Sequence, residues 1–191
     1  MTRSVGVPFV SRFCLLTLLC LGIGWLCPAT CPAAGPVAGP APSGFDQPQP
    51  NVPQGKIESI TYESTTTGGP RKAVVYTPPN LPADTKLPVL YLLHGSGDDE
   101  TGWQVKGNAA AILDNLVASG RVSPLLVVMP LGFARKPGDN PANRFNFQAF
   151  EQDLLTDLVP HIEKTYPVKT GKADRAIADA RRAEPALLAS R

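Results

Sequence analysis

The sequence predicts an α/β domain in which an antiparallel hairpin precedes parallel strands joined by crossover helices. Apolar segments with alternating or continuous patterns indicate strands, and stretches with helical spacing lie between the later ones. Strand, helix, strand, helix, strand is the order typical of a parallel sheet. The first 55 residues contain only three charged side chains, so we expect the folded domain to begin near residue 56.

The hairpin comes first in this domain. Lys56–Ser64 alternates apolar and polar residues, as a half-buried strand does. Thr65–Pro70 supplies a Gly-Gly-Pro turn, and Arg71–Thr77 is β-branched and aromatic before the chain reaches Pro78. These two strands should therefore pair in antiparallel fashion.

The later segments alternate between buried strands and helices. Their predicted bounds are strand Leu87–Leu93, helix Asn108–Ser119, strand Leu125–Met129, helix Phe147–Tyr166 and strand Arg175–Ala178. The strands are apolar, as expected where both sheet faces are covered. Gly120 and Pro167 follow the two helices, where these residue types commonly end a helix. Reactive groups collect at the carboxyl ends of strands in open α/β sheets, so the loops after Leu93 and Met129 are where we expect a site.

Composition excludes several classes of protein. The formal net charge is +2 and 18% of residues are charged, which is too balanced for a strongly basic nucleic-acid surface. The sequence has no heptads, no Gly-X-Y period and no repeat at solenoid spacing. We expect no nucleic-acid partner, and the oligomeric state stays open.

The first 34 residues are typical of a secretory signal peptide. Arg3 and Arg12 precede Phe13–Leu26, an uncharged run of 14 residues, and small residues and prolines follow. A membrane anchor is the alternative, but the run is shorter than the ~20 residues of a spanning helix. A lipoprotein site at Cys31 is disfavoured because Pro28–Thr30 is not the usual apolar-small-small approach. We expect a secreted or periplasmic protein that meets the membrane only through this peptide.

Neither the cysteines nor the proline-rich stretch indicates chemistry. All four cysteines lie in or beside the signal peptide, so cleavage would leave no disulfide, thiolate nucleophile or cysteine metal site. Residues 35–55 are rich in Pro, Ala and Gly and are expected to form a disordered, semi-rigid spacer.

The strongest chemical motif follows the first buried strand. It contains His94, Gly95, Ser96 and Gly97, and then Asp98, Asp99, Glu100 and Trp103. Glycines there let the chain turn sharply and leave backbone amides open, and such amides can stabilise the oxyanion of acyl transfer, as in lipases and esterases. Taken alone, the motif fits a simple glycine turn equally well. Ser96 lies in Gly-Ser-Gly and not in G-x-S-x-G, so we do not expect it to be a nucleophile.

A set of longer stretches makes this motif more specific. They are Tyr76–Pro79, Leu87–Trp103, Gly107–Gly120, Pro124–Pro130 and Phe150–Val168. In this order and spacing they resemble the esterase D and feruloyl-esterase-like branch of the α/β-hydrolase superfamily, which includes enterochelin-esterase-like and acetyl xylan esterase domains. The resemblance implies ester hydrolysis by a Ser nucleophile, a His base and an acidic orienting residue, on a small-molecule or carbohydrate-linked ester and without a cofactor. It also implies that Gly95 and its neighbours His94, Ser96 and Gly97 form part of the oxyanion hole, with Trp103 lining the cleft.

The sequence departs from this family after Ala178. Members of the family continue there with a Gly-Leu-Ser-Met-Gly-Gly-like nucleophile elbow, whereas this chain reads Asp179-Ala180-Arg181 and carries an aberrant tail over residues 179–191. The acid and the histidine would follow the elbow. Residues 56–178 are therefore expected to be the N-terminal half of a hydrolase domain, an incomplete sheet whose last strand is left as an open edge.

No other residue is expected to replace the missing triad. His94 belongs to the loop, where we expect a structural role, and His161 lies mid-helix beside Pro160, at the surface or in helix packing. The sequence has no metal-ligand cluster, phosphate loop or dinucleotide fingerprint. The acidic run Asp98–Glu100 is expected to be solvated, and we predict no metal and no cofactor.

Two functions remain open from the sequence. The first is a secreted carboxylic ester hydrolase of feruloyl, acetyl xylan or enterochelin type, truncated or frameshifted before its nucleophile elbow and so inactive as this chain. The second is a non-catalytic secreted α/β module that binds esters or carbohydrate without turnover. An assay with 4-nitrophenyl acetate separates them, but the substrate itself depends on later loops.

Overall fold

The computed structural model describes residues 42–140 and 146–180, and within them helices pack on a mixed sheet. The strands are β1 (Lys56–Ser64), β2 (Gly69–Thr77), β3 (Val89–Leu93), β4 (Leu126–Pro130) and β5 (Arg175–Asp179). The helices are α1 (Gly102–Val105), α2 (Ala109–Ala118), α3 (Phe147–Asp153) and α4 (Val159–Thr165), with a π-helical turn at Leu154–Leu158 and a 3-10 turn at Lys172–Asp174. The predicted signal peptide, residues 35–41 of the predicted spacer and residues 181–191 of the tail lie outside the described residues.

The strand order in the sheet is β1-β2-β4-β3-β5. β2 pairs with β1 and with β4 in antiparallel fashion, and β3 pairs with β4 and with β5 in parallel fashion. This arrangement confirms the predicted α/β class, in which a hairpin precedes parallel strands with crossover helices.

Several element bounds differ from the prediction for local reasons. β3 begins at Val89, because Pro88 has no amide hydrogen for the ladder and Leu87 forms a separate bridge with Val168. The predicted helix from Phe147 to Tyr166 is interrupted by the π-helical turn just before Pro160, whose missing amide hydrogen cannot continue the regular bonding pattern. Helix α1 was not predicted.

The core lies on both faces of the sheet. On one face Val75, Val128 and Tyr91 pack with Leu158 and Ile162 of the helix layer that runs from α3 to α4. On the other face, alternate residues of β2 and β4 pack with helix α2: Val74, Tyr76, Val127, Met129 and Ala109. Strand residues alternate between faces, so the continuously apolar β4 is buried on both sides, as predicted.

β5 was predicted to be a buried strand, and on that point the prediction is wrong. Ile177 is 58% exposed, and Ala176 and Ala178 are exposed as well. β5 lies at the edge of the sheet, and among the described strands it pairs only with β3. The open edge itself matches the expectation drawn from the sequence after Ala178.

Residues 42–55 form turns that are tied to helix α2. The Nδ2 of Asn115 donates hydrogen bonds to the carbonyl oxygens of Phe45 and Gln47 at 2.8 and 2.9 Å. The Gly55 amide donates to Asp114 Oδ1 at 2.9 Å. The composition of this stretch did not suggest these contacts. No helix of the described residues is both long enough and apolar enough to cross a membrane.

Asp157 fastens the helix layer to the turn between β1 and β2. Its Oδ1 accepts a hydrogen bond from Thr65 Oγ1 at 2.7 Å, and its Oδ2 accepts from Thr66 Oγ1 at 2.8 Å, Thr66 N at 3.1 Å and Ser64 Oγ at 3.1 Å. Burial acts to raise the pKa of Asp157, but the hydrogen bonds from Thr65 and Thr66 outweigh it and lower the pKa to about 2.

Stability should therefore fall in acid partly through Asp157. Its pKa is depressed from 3.8 in the folded state, so the carboxylate stabilises the fold above about pH 4 and this contribution is lost as the pH falls towards 2. We expect Asp157→Asn to lower the free energy of unfolding by about 1–3 kcal/mol near neutral pH and to flatten its decline between pH 4 and 2. Urea unfolding across this range measures both effects. The exposed Glu63→Gln is the matched control, and an Asp157→Asn profile parallel to that of the unmodified chain would contradict the assignment.

Candidate active site

The site predicted from the sequence lies at the carboxyl ends of β3 and β4. His94 directly follows β3 and is buried, with its ring packed against Phe133 at a centroid distance of 5.0 Å. Its Nδ1 lies 2.8 Å from the Gly95 carbonyl oxygen, and its Nε2 lies 2.9 Å from the Gly132 amide nitrogen in the loop after β4. A single imidazole therefore joins the two loops.

The two contacts of His94 select one tautomer of the ring. Gly132 can only donate and the Gly95 carbonyl can only accept, so both bonds form when Nδ1 carries the proton and Nε2 does not. Position 132 also requires glycine, because a Cβ there would lie 3.2 Å from Nε2. These contacts agree with the structural role expected for His94, and they leave neither ring nitrogen available to a substrate.

The turn after His94 presents backbone amides. Gly97 has φ of +84°, a conformation that favours glycine, and the Asp98 amide closes the turn on the Gly95 carbonyl at 3.3 Å. Among the described residues, the amides of Gly95, Ser96 and Gly97 donate to no other group. The side of the turn that carries Ser96 and Gly97 faces a cavity of about 620 Å³ that is also lined by Leu131, Phe133 and Arg135.

Trp103 lies on the other side of the same turn. Its indole Nε1 donates to the Leu93 carbonyl oxygen at 2.9 Å, which holds helix α1 over the end of β3. Trp103, His94 and Gly95 line a second cavity of about 200 Å³, together with Ala180 at the end of β5. The structure thus brings the carboxyl end of β5 to the His-Gly loop.

The acidic run after Gly97 serves the turn itself. Asp98 forms an ion pair with Lys106, and Asp99 Oδ1 accepts from Thr101 Oγ1 at 2.6 Å and from its amide at 2.9 Å. The hydrogen bond from the Thr101 hydroxyl lowers the pKa of Asp99. In residues 42–140 and 146–180, no three His, Cys, Asp or Glu side chains form a group that could hold a metal ion.

A buried charge network behind the loop after β4 was missed by the sequence reasoning. Asp153 of α3 and Arg71 of β2 are both buried, with Arg71 Nε 2.9 Å from Asp153 Oδ2. The Tyr62 hydroxyl donates to the same Oδ2 at 2.7 Å, and burial raises the pKa of Tyr62 so that this proton stays in place. Asp153 Oδ1 has no hydrogen-bond partner in the described part of the chain.

Arg71 carries this network to the site. Its Nη1 donates to the Phe133 carbonyl at 2.8 Å and its Nη2 to the Leu131 carbonyl at 2.5 Å. These residues flank Gly132, whose amide binds His94. The available signal was one arginine on the buried face of an otherwise apolar strand, a position that a charged residue takes only when it is paired.

The second histidine lies elsewhere. His161 is on α4 with its ring 6.0 Å from that of Tyr62, and it lines a surface pocket with Asp157 and Lys164. No hydrogen bond within the described residues joins either histidine to a serine side chain. The described residues therefore assemble the loop but no catalytic triad.

Removing the His94 imidazole should loosen the two loops. His94→Phe keeps an aromatic ring but leaves the Gly132 amide without its acceptor, so we expect the free energy of unfolding to fall by about 1–3 kcal/mol. Hydrogen exchange at the Gly132 amide should also become faster. Urea unfolding and amide exchange measure the two effects, and His161→Phe is the matched control. Unchanged exchange at Gly132 would show that His94 does not hold the loop.

Comparison with known proteins gives one family for this geometry. The model of the Esterase family matches residues 64–179. An endo-1,4-β-xylanase/feruloyl esterase of Xylanibacter ruminicola is 37% identical over 133 residues, which are 67% of this chain and 18% of that protein. Endo-1,4-β-xylanase Y of Acetivibrio thermocellus is 31% identical over 127 residues, 66% of this chain and 11% of that protein.

Solved structures agree with this result. The ferulic acid esterase of Anaeromyces mucronatus, in complex with ferulic acid, is 29% identical with a TM-score of 0.66, covering 73% of this chain and 53% of that one. The chain thus spans about half the length of this solved esterase and less than a fifth of the two curated proteins.

Proposed function

Because this chain belongs to the Esterase family of α/β hydrolases, we propose that it supplies the oxyanion-binding half of a carboxylic ester hydrolase. The observation that carries the proposal is the turn from Gly95 to Gly97, whose amides donate to no other group among the described residues. His94 and Gly132 hold this turn against the loop after β4. Donors fixed before the reaction need no reorganisation when charge develops.

In the proposed reaction, a serine hydroxyl attacks the ester carbonyl carbon while a histidine takes its proton. The carbonyl oxygen becomes an oxyanion, and amides of the turn donate to it, each contributing roughly 3–4 kcal/mol to the transition state. The intermediate then expels the alcohol, which takes the proton from the histidine, and water hydrolyses the acyl-enzyme by the same steps. We assign the serine to the small cavity where β5 ends, because Ala180, His94 and Trp103 meet there.

We propose a feruloyl-type aromatic ester as substrate class. Two relatives carry feruloyl or ferulic acid esterase in their names. The cavity beside Ser96 and Gly97 has about 620 Å³ and is lined by Phe133 and Leu131, a size and character that suit an aromatic acyl group. Acetyl esters of xylan and enterochelin-type esters are the other members of this proposal. The predicted signal peptide places the reaction outside the cell or in the periplasm.

We further propose that the 191-residue polypeptide by itself does not turn esters over. After Ala178 it reads Asp179-Ala180-Arg181 where the family has its nucleophile elbow. The same residues are what favour the second candidate function, a module that binds esters without hydrolysing them.

A chimera tests the proposed function. This chain up to Ala178 is joined to the part of the Anaeromyces mucronatus esterase that it does not match, and hydrolysis of methyl ferulate and 4-nitrophenyl acetate is followed. We expect turnover, and we expect Gly97→Val to lower kcat by roughly 10²–10³-fold with little change in KM, because a side chain at φ of +84° distorts the turn. His161→Gln is the control that should leave both constants unchanged. A folded chimera that hydrolyses neither ester, but binds ferulate, would favour the non-catalytic module.

A further inference from the structure

The outer edge of β5 is a surface for strand pairing. Ile177 in the middle of the strand is more than half exposed, as are Phe147 and Leu155 on the adjacent helix layer. The three side chains line an apolar groove of about 870 Å³. An exposed strand edge beside an apolar flank is a template on which another strand can pair.

The side-chain order of β5 is complementary to itself. Arg175, Ile177 and Asp179 point to the same face, because strand residues two apart share a face. In an antiparallel pair centred on Ile177, Arg175 of one copy lies opposite Asp179 of the other, and the two-fold axis repeats the pair. Ile177 then lies opposite Ile177, so two opposite-charge pairs flank one apolar pair.

Arg175 can form this additional contact. Its Nη2 lies 2.5 Å from Glu163 Oε1 and donates to the Thr170 carbonyl at 2.7 Å. The guanidinium has five donors in total, and the Arg175 side chain is 29% exposed. Arg175 and Asp179 both line the groove, so each faces the side on which the second strand would lie.

We propose that two copies of this chain pair in antiparallel fashion through β5 and join their apolar grooves across a two-fold axis. Each five-stranded sheet thereby becomes half of one continuous sheet. The occupant is a second copy because the charge order of β5 matches its own reverse. The interface does not depend on the proposed esterase function.

Sedimentation equilibrium of the full chain tests the interface. We expect a dimer, and we expect Ile177→Lys and Asp179→Lys each to raise its dissociation constant roughly tenfold or more, because like charges then lie opposite each other. Val105→Lys is the matched control, since Val105 is 74% exposed and lies outside the groove. It should dimerise like the unmodified chain.

Mixing two variants tests the register. Asp179→Lys and Arg175→Glu should each weaken self-association, but the two together should form a heterodimer, because each cross-pair is again of opposite charge. Amide exchange at Ile177 gives a second measurement that needs no substitution, and protection there should rise with the concentration of the unmodified chain.

Three results would overturn the proposal. One is a monomer with concentration-independent exchange at Ile177. Another is self-association that Ile177→Lys leaves unchanged, which would place the contact on another surface. The third is failure of the folded Asp179→Lys and Arg175→Glu variants to associate when mixed. Monomeric full chain that becomes protected at Ile177 only in the esterase chimera would assign the edge to the downstream half of the domain instead.

Discussion

The 191-residue polypeptide should hydrolyse 4-nitrophenyl acetate no faster than buffer, on the order of a millionfold more slowly than the esterase chimera. A gap of this size is what a serine hydrolase loses with its nucleophile, when oxyanion and binding effects alone remain. Both ring nitrogens of His94 are engaged by Gly95 and Gly132, so this histidine cannot serve as the base. The sequence offers no serine in a G-x-S-x-G context.

The measurement compares steady-state rates of the two proteins at equal concentration, with and without a serine-directed phosphonate. The chimera should lose its activity when it is labelled, and the 191-residue chain should take up no label. Turnover by the chain that the phosphonate abolishes would contradict the proposal that this polypeptide lacks a working nucleophile.

Replacing Arg71 by methionine should lower the free energy of unfolding by about 3–5 kcal/mol. The substitution removes the cation beside Asp153, a carboxylate with no exposed surface, and an unpaired buried charge is strongly destabilising. It also leaves the Leu131 and Phe133 carbonyls without their donors. Exchange at the Gly132 amide should therefore become faster, because those two carbonyls flank it.

The double variant Arg71→Met with Asp153→Leu separates charge from packing. Replacing both partners by apolar residues removes the unpaired charge, so it should recover most of the lost stability, while the loop after β4 stays loosened. Urea unfolding measures the first effect, and amide exchange at Gly132 measures the second. If Arg71→Met cost less than about 1 kcal/mol, the network would not be a major contributor to the fold.

The pattern of apolar residues predicted most of the fold. The alternation in β1 and the continuous apolar run of β4 correspond to burial on one face and on two faces. Element ends were less accurate, because Pro88 and Pro160 act through missing hydrogen bonds whose partners are set by tertiary structure.

The exposure of β5 shows what such patterns cannot provide. Its Ala-Ile-Ala core has the composition of a buried strand, but burial depends on what lies beside the strand and not on its own residues. In the described part of the chain, only β3 lies there.

The site was predictable in its loop and unpredictable in its support. The His-Gly motif at the end of an apolar strand identified His94, Gly97 and Trp103, whose positions follow from local chain direction. Their partners come from distant segments: the His94–Gly132 contact spans 38 residues and the Tyr62–Asp153 contact spans 91. Contacts of this range are fixed by sheet order, which a single sequence specifies only through the complete fold.

A crystal structure of the chimera labelled with a phosphonate ester would test the proposed oxyanion role most directly. The phosphoryl oxygen of that adduct occupies the position of the oxyanion. We predict that it lies about 2.7–3.1 Å from at least one amide nitrogen of the turn from Gly95 to Gly97, with His94 still bonded to Gly132. A phosphoryl oxygen held by other groups, beyond hydrogen-bonding distance of all three amides, would contradict the assignment of this turn as the oxyanion-binding element.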